Sequence, residues 1–89
     1  MFLHSESNKL SQKNMTKEQQ TEYMINFTID EMTKYLMTDY NLDMPTALNI
    51  IYNSQAMELL QNKETGLYSQ SPGYVYAILQ REYTTGKIG

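Results

Sequence analysis

Three stretches of the chain repeat their apolar residues at the spacing of a helix. In the first, Ile25, Ile29, Met32 and Leu36 fall at i, i+4, i+7 and i+11, which is one face of an α-helix. Met24 and Tyr35 widen that stripe, and Tyr40 extends it. In the second, Met44, Leu48, Ile51, Tyr52 and Leu59 form the apolar face, interrupted by Ser54 and Gln55. In the third, Val75, Ile78 and Leu79 form it. The spacing predicts a buried core of Ile25, Ile29, Leu36, Leu48, Ile51, Leu59, Val75, Ile78 and Leu79.

The residues between these stretches punctuate them. Thr16 and Gln19 have the spacing of a capping box, in which each side chain satisfies a free backbone N–H near the helix start. Glu18 and Glu22 suit the positive end of the helix dipole. Asn41 tolerates the left-handed backbone that ends a helix. Asp43 is a good N-cap, and Pro45 sits in a first turn, where its missing N–H would have no partner anyway. Thr65-Gly66 reads as a turn, after which Leu67 and Tyr68 fold back onto the helices. Ser71-Pro72 opens the last helix and Gly86 ends it. The predicted helices are 16–40, 43–62 and 72–85, and the short first connection makes the first two antiparallel. Residues 1–14 are polar and aperiodic and read as a disordered leader. Met1 and Met15 are both candidate starts. The expected fold class is therefore all-α, a small three-helix domain over 15–89 behind a leader over 1–14.

Composition narrows the function classes. A chain of 89 residues makes one domain, with stability limited by its size. It has no Cys, which removes disulfides and thiolate chemistry and fits a reducing compartment. Its longest apolar runs are far short of the ~20 residues a membrane-spanning helix needs. The start Met1-Phe2-Leu3-His4-Ser5-Glu6 lacks the basic and apolar regions of a signal peptide, so the expected location is cytoplasmic. Net charge is −3, and from Lys17 onward nine acids face five bases with no basic cluster. Affinity for nucleic acid rests mainly on Lys and Arg at phosphates, so that balance argues against it.

Candidate chemistry is sparse. His4 stands alone, and adjacent Asp30 and Glu31 point about 100° apart on a helix, so they cannot chelate together. Asp39 and Asp43 flank the first turn, where a solvated helix end and an N-cap account for them. The four glycines Gly66, Gly73, Gly86 and Gly89 are isolated, so no phosphate-cradling loop exists. No His in the body can activate a Ser or Thr nucleophile. No metal, cofactor or catalytic residue is expected, and the chain reads as a non-enzyme.

Seven Met, eight Tyr and no Trp stand out. Met24, Met32, Met44 and Met57 read as adaptable core filler. Tyr76, Leu79, Gln80 and Tyr83 fall at i, i+3, i+4 and i+7, with Tyr76 and Tyr83 roughly 90° round from the core face of the last helix. Two readings follow: the long first helix covers these rings within the monomer, or Tyr76, Gln80 and Tyr83, with Tyr68 beside them, form a contact patch for a partner or a second copy.

The stretch Glu64-Thr65-Gly66-Leu67-Tyr68, followed by Ser71-Pro72-Gly73-Tyr74-Val75-Tyr76, resembles the C-terminal signature of a family of short, uncharacterised bacterial proteins. Members are similar to this chain over most of the body, with an Ala-Leu … Ile-Tyr second helix, here Ala47-Leu48 and Ile51-Tyr52. The resemblance implies toxin–antitoxin-like gene neighbourhoods, including small ADP-ribosyltransferase-like proteins, and carries no catalytic residues. The expected function is a protein–protein interaction module, an accessory or antitoxin-like partner of a neighbouring gene product. The alternative is a helix-turn-helix DNA-binding regulator, whose reader would be the third helix with Arg81 and Lys87 as its only bases. A small enzyme or enzyme subunit is a minor alternative.

Overall fold

The computed structural model describes residues 15–86, so the leader over 1–14, along with Lys87 and the two residues after it, lies outside the described residues. The described chain is all-helical: α1 (Lys17–Tyr40), α2 (Met44–Tyr52), α3 (Gln55–Gln61), two single 3₁₀ turns (Lys63–Thr65 and Leu67–Ser69) and α4 (Pro72–Thr85).

Local chemistry sets most boundaries where the sequence places them. The capping box forms in full: the Gln19 N–H donates to the Thr16 hydroxyl and the Thr16 N–H to the Gln19 side chain, each at 3.0 Å. Asn41 ends α1 in the left-handed region at φ 54°. The Asp43 carboxylate accepts from the Thr46 N–H at 3.0 Å and opens α2. The Ser71 hydroxyl accepts from the Tyr74 N–H at 3.2 Å and opens α4, which Gly86 closes at φ 84°.

The second predicted helix is two helices. The chain breaks at Asn53-Ser54, and the break has its own partners. The Asn53 amide donates back to the Asn49 carbonyl at 2.8 Å. The Ser54 hydroxyl donates to the Ile51 carbonyl at 2.6 Å and accepts from the Met57 N–H at 3.0 Å, which makes Ser54 the N-cap of α3. From α4, the Glu82 carboxylate accepts from the N–H groups of Gln55 and Ala56, at 2.8 and 3.1 Å.

This break corrects the predicted helical phase. Across it the inward positions are Ala47 and Ile51, then Ala56, Met57 and Leu60, all buried. Leu48 and Leu59, expected in the core, are only half-buried, as is Ile78 on α4. Met44 and Tyr52 face outward. The rest of the core comes from Ile25, Ile29, Met32 and Leu36 of α1, Val75, Tyr76 and Leu79 of α4, and Leu67 from the second 3₁₀ turn. Met24, expected to widen the α1 stripe, lies outside this core. Helix α1 is the spine: α2 packs on one flank and α4 on another, and α4 also packs on α3.

Candidate functional site

Helix α4 brings Tyr76 and Tyr83 against the C-terminal half of α1. Tyr76 is buried, with only 8% of its surface exposed. Its ring lies 4.9 Å from that of Tyr35, tilted at 54°, and its hydroxyl donates to Asp39 Oδ2 at 2.7 Å. Burial raises the Tyr76 hydroxyl well above the ordinary tyrosine range, and the hydrogen bond to Asp39 and that group's negative charge push the same way. A phenol held in its neutral form is a poor nucleophile and a poor base, and the ring contact and hydrogen bond of Tyr76 join α4 to α1.

One turn on, the Gln80 amide donates to the Tyr40 hydroxyl at 3.2 Å. Tyr83 meets Tyr40 edge to face, with ring centroids 4.8 Å apart, yet keeps 41% of its surface exposed. Of the four residues picked out as a contact patch, Tyr76 is thus covered by α1, Gln80 and Tyr68 are half-buried, and Tyr83 faces water on one side. Asp39, flagged beside Asp43 at the first turn, serves as the acceptor for Tyr76, while Asp43 caps α2. Among the described residues no group of three His, Asp or Glu side chains is placed to hold a metal ion, and no helix is long and apolar enough to cross a membrane.

A larger exposed feature lies elsewhere on α1, where α2 turns back against it. Phe27, Met37, Met44 and Leu48 line a groove of about 420 Å³, with Asp30, Glu31 and Lys34 along its rim. Lys34 Nζ lies 3.1 Å from Glu31 Oε2. Phe27 is 47% exposed and Met44 54%. The groove exists because Leu42 and the Asp43 cap steer α2 back along α1 with its Met44 side turned outward; Leu42 donates its N–H to the Met37 carbonyl at 3.2 Å.

Sequence periodicity misses this groove for a definable reason. Met44, Leu48 and Ile51 share one stripe in the sequence, but of these only Ile51 is buried, with Ala47 beside it, so the core face of α2 is turned toward Ala47 and leaves Met44 and Leu48 at the groove. A smaller cavity of about 260 Å³ lies at the Asn53-Ser54 break, next to Leu79 and Tyr83. The Glu82 carboxylate lines it, but both its oxygens are already bonded to α3.

The chain matches no family model, no curated protein and no solved structure.

Proposed function

We propose that this domain is a non-enzymatic protein–protein interaction module whose contact face is the α1–α2 groove. The observation that carries the reading is the exposure of Phe27 and Met44 at the mouth of a cavity that the chain's own described residues leave open. Grouped exposed apolar side chains with a polar rim mark contact surfaces on small proteins. Methionine suits such a surface because its unbranched thioether adapts to whatever covers it. The tyrosine cluster gives less: its Tyr76 ring is covered by α1, which leaves Tyr83 and part of Tyr68 as an accessory edge.

Charge works against the DNA-binding alternative. Helix α4, its reader, offers Arg81 as its one base, on a domain whose described residues carry nine acids against four bases. The resemblance at Glu64–Tyr68 and Ser71–Tyr76 makes a neighbouring gene product the natural place to look for a partner.

The reading is tested by placing a photo-crosslinking residue at position 27 and, as a control, at exposed Glu58 of α3, then irradiating cells of the native host and identifying adducts by mass spectrometry. A discrete polypeptide adduct from position 27 that is missing from position 58 is the expected result. No adduct from position 27, or the same adducts from both positions, overturns the proposal.

A further inference from the structure

The outer face of α1 carries a second stripe, distinct from its core stripe. Tyr23, Phe27, Asp30, Lys34 and Met37 follow one another in steps of four, three, four and three, and the C-cap Asn41 lies four beyond. Alternation of three and four is the spacing that keeps one helix facing another along its length. The stripe is open along the helix: Tyr23 is 64% exposed, the Lys34 side chain 71%, Asp30 is exposed, and Met37 is half-buried at the floor of the groove.

Resting on the reading of that groove as a contact face, we propose that its occupant is α1 of a second copy of this chain, packed antiparallel about a two-fold axis level with Met32. The argument is one of register. In that arrangement residues whose numbers sum to 64 face each other. Phe27 then meets Met37 of the second copy, beside its Met44, so an exposed ring fills the groove that needs it. Asp30 meets Lys34 of the second copy, and by symmetry Lys34 meets Asp30.

A parallel pair in the same register would set Asp30 on Asp30 and Lys34 on Lys34, and like charges directly opposed disfavour it. Opposite charges at 30 and 34 therefore favour the antiparallel pair over the in-register parallel one, and Lys34, already 3.1 Å from Glu31 of its own helix, lies between the two acids. A foreign helix would need only to answer the apolar groove; a seam carrying a knob, its own hole, an acid and its own base is complementary to itself, as a two-fold interface must be. The seam from Tyr23 to Asn41 is about 27 Å long at the rise of an α-helix. Flanked by Met44 and Leu48 of both copies, it is on the scale of an interface burying about 800 Å² per partner.

The test is sedimentation of the full chain and of charge-reversed variants, with circular dichroism to show that each remains folded. The wild type sediments as a dimer. Asp30→Lys sets two lysines face to face, Lys34→Asp sets two aspartates face to face, and each weakens self-association by about tenfold or more. The two variants mixed form a heterodimer, because Lys at 30 of one chain then meets Asp at 34 of the other, and its Lys34 meets the other's Asp30. The double variant Asp30→Lys with Lys34→Asp regains the dimer on its own. Tyr83→Ala leaves the dimer unchanged.

A wild type that stays monomeric up to about 1 mM, where even a millimolar Kd shows, overturns the proposal. So does a dimer that survives both single reversals, or one that Tyr83→Ala abolishes. The crosslink from position 27 separates the two readings: an adduct of twice the chain mass supports both, an adduct to a different polypeptide alone removes the second copy but leaves the contact face, and no adduct removes both.

Discussion

The carboxylate of Glu82 caps a helix to which it does not belong. Its Oε2 accepts from the Gln55 N–H and its Oε1 from the Ala56 N–H, so a side chain of α4 satisfies two free donors at the start of α3. With the Ser54 hydroxyl on the Met57 N–H, these contacts stabilise a break that neither Ser54 nor Asn53 would have to make alone.

Removing that carboxylate tests its weight. Glu82→Ala is expected to cost about 1–3 kcal/mol, the range for hydrogen bonds to a charged group, and to lower the Tm by several degrees. Glu82→Gln keeps one acceptor and should fall between. Thermal unfolding followed by circular dichroism measures both, and a loss for Glu82→Ala no larger than that of a surface change such as Glu58→Ala would contradict the capping role.

The corrected helical phase separates two leucines that periodicity treats alike. Leu36 is fully buried, and Leu36→Ala is expected to cost about 2–5 kcal/mol. Leu48 is half-buried at the groove, so Leu48→Ala should cost well under half as much. Equal losses in denaturant unfolding would mean that α2 turns its Leu48 side inward after all.

Tyr76 and Tyr83 of α4 should also part company. Tyr76→Ala removes a buried ring and is expected to cost about 3–5 kcal/mol, as for other buried aromatic truncations. Tyr76→Phe keeps the ring, loses the bond to Asp39, and should cost about 1 kcal/mol. Tyr83→Ala removes a ring that is already half in water and should fall near the lower figure. Chemical denaturation of the three variants gives the ranking.

Alkali provides an independent check on Tyr76. Its hydroxyl titrates higher in the folded chain than in the unfolded one, so the folded state holds its proton more tightly. That contribution to stability is fully present below the unfolded value of about 10 and is lost as pH rises from there toward the folded value. Unfolding midpoints should therefore drop above about pH 10 in the wild type and drop less in Tyr76→Phe. Ultraviolet titration should show one phenol that ionises only as the chain unfolds.

What the sequence reveals about this fold is what depends on neighbours in the chain. The Thr16–Gln19 box, the Asp43 and Ser71 caps and the left-handed Asn41 all act over three or four residues, and each lies where pattern reading puts it. The break at Asn53-Ser54 takes part of its support from Glu82, 27 residues beyond Gln55, and no local pattern contains that. Without the break, α3 runs on in the phase of α2 and Leu59 passes for core in place of Leu60; on α2, Met44 and Leu48 share a stripe with Ile51 and hide the groove. The proposed α1 seam escapes an apolar pattern for a different reason: two of its residues, Asp30 and Lys34, are charged. Tyr76 was legible as aromatic and flanking, but whether α1 or a partner would cover it turned on Tyr35 and Asp39 lying opposite.

The opening turns of α1 differ in kind from its middle. From Lys17 to Met24 only Thr21 is even half-buried, whereas Ile25, Ile29, Met32 and Leu36 are sealed in the core. Tertiary packing therefore protects one end of a continuous helix and barely touches the other, where the capping box and a 3.9 Å approach of the exposed Lys63 to Glu18 are among the contacts beyond the helix's own backbone ladder. Amide hydrogens along α1 should exchange on a gradient, with the first turns opening by local fraying and the residues beyond Ile25 only when the whole domain comes apart. One rod thus reports two stabilities, and anything that docks across Tyr23 and Phe27 would slow exchange where the isolated chain is fastest.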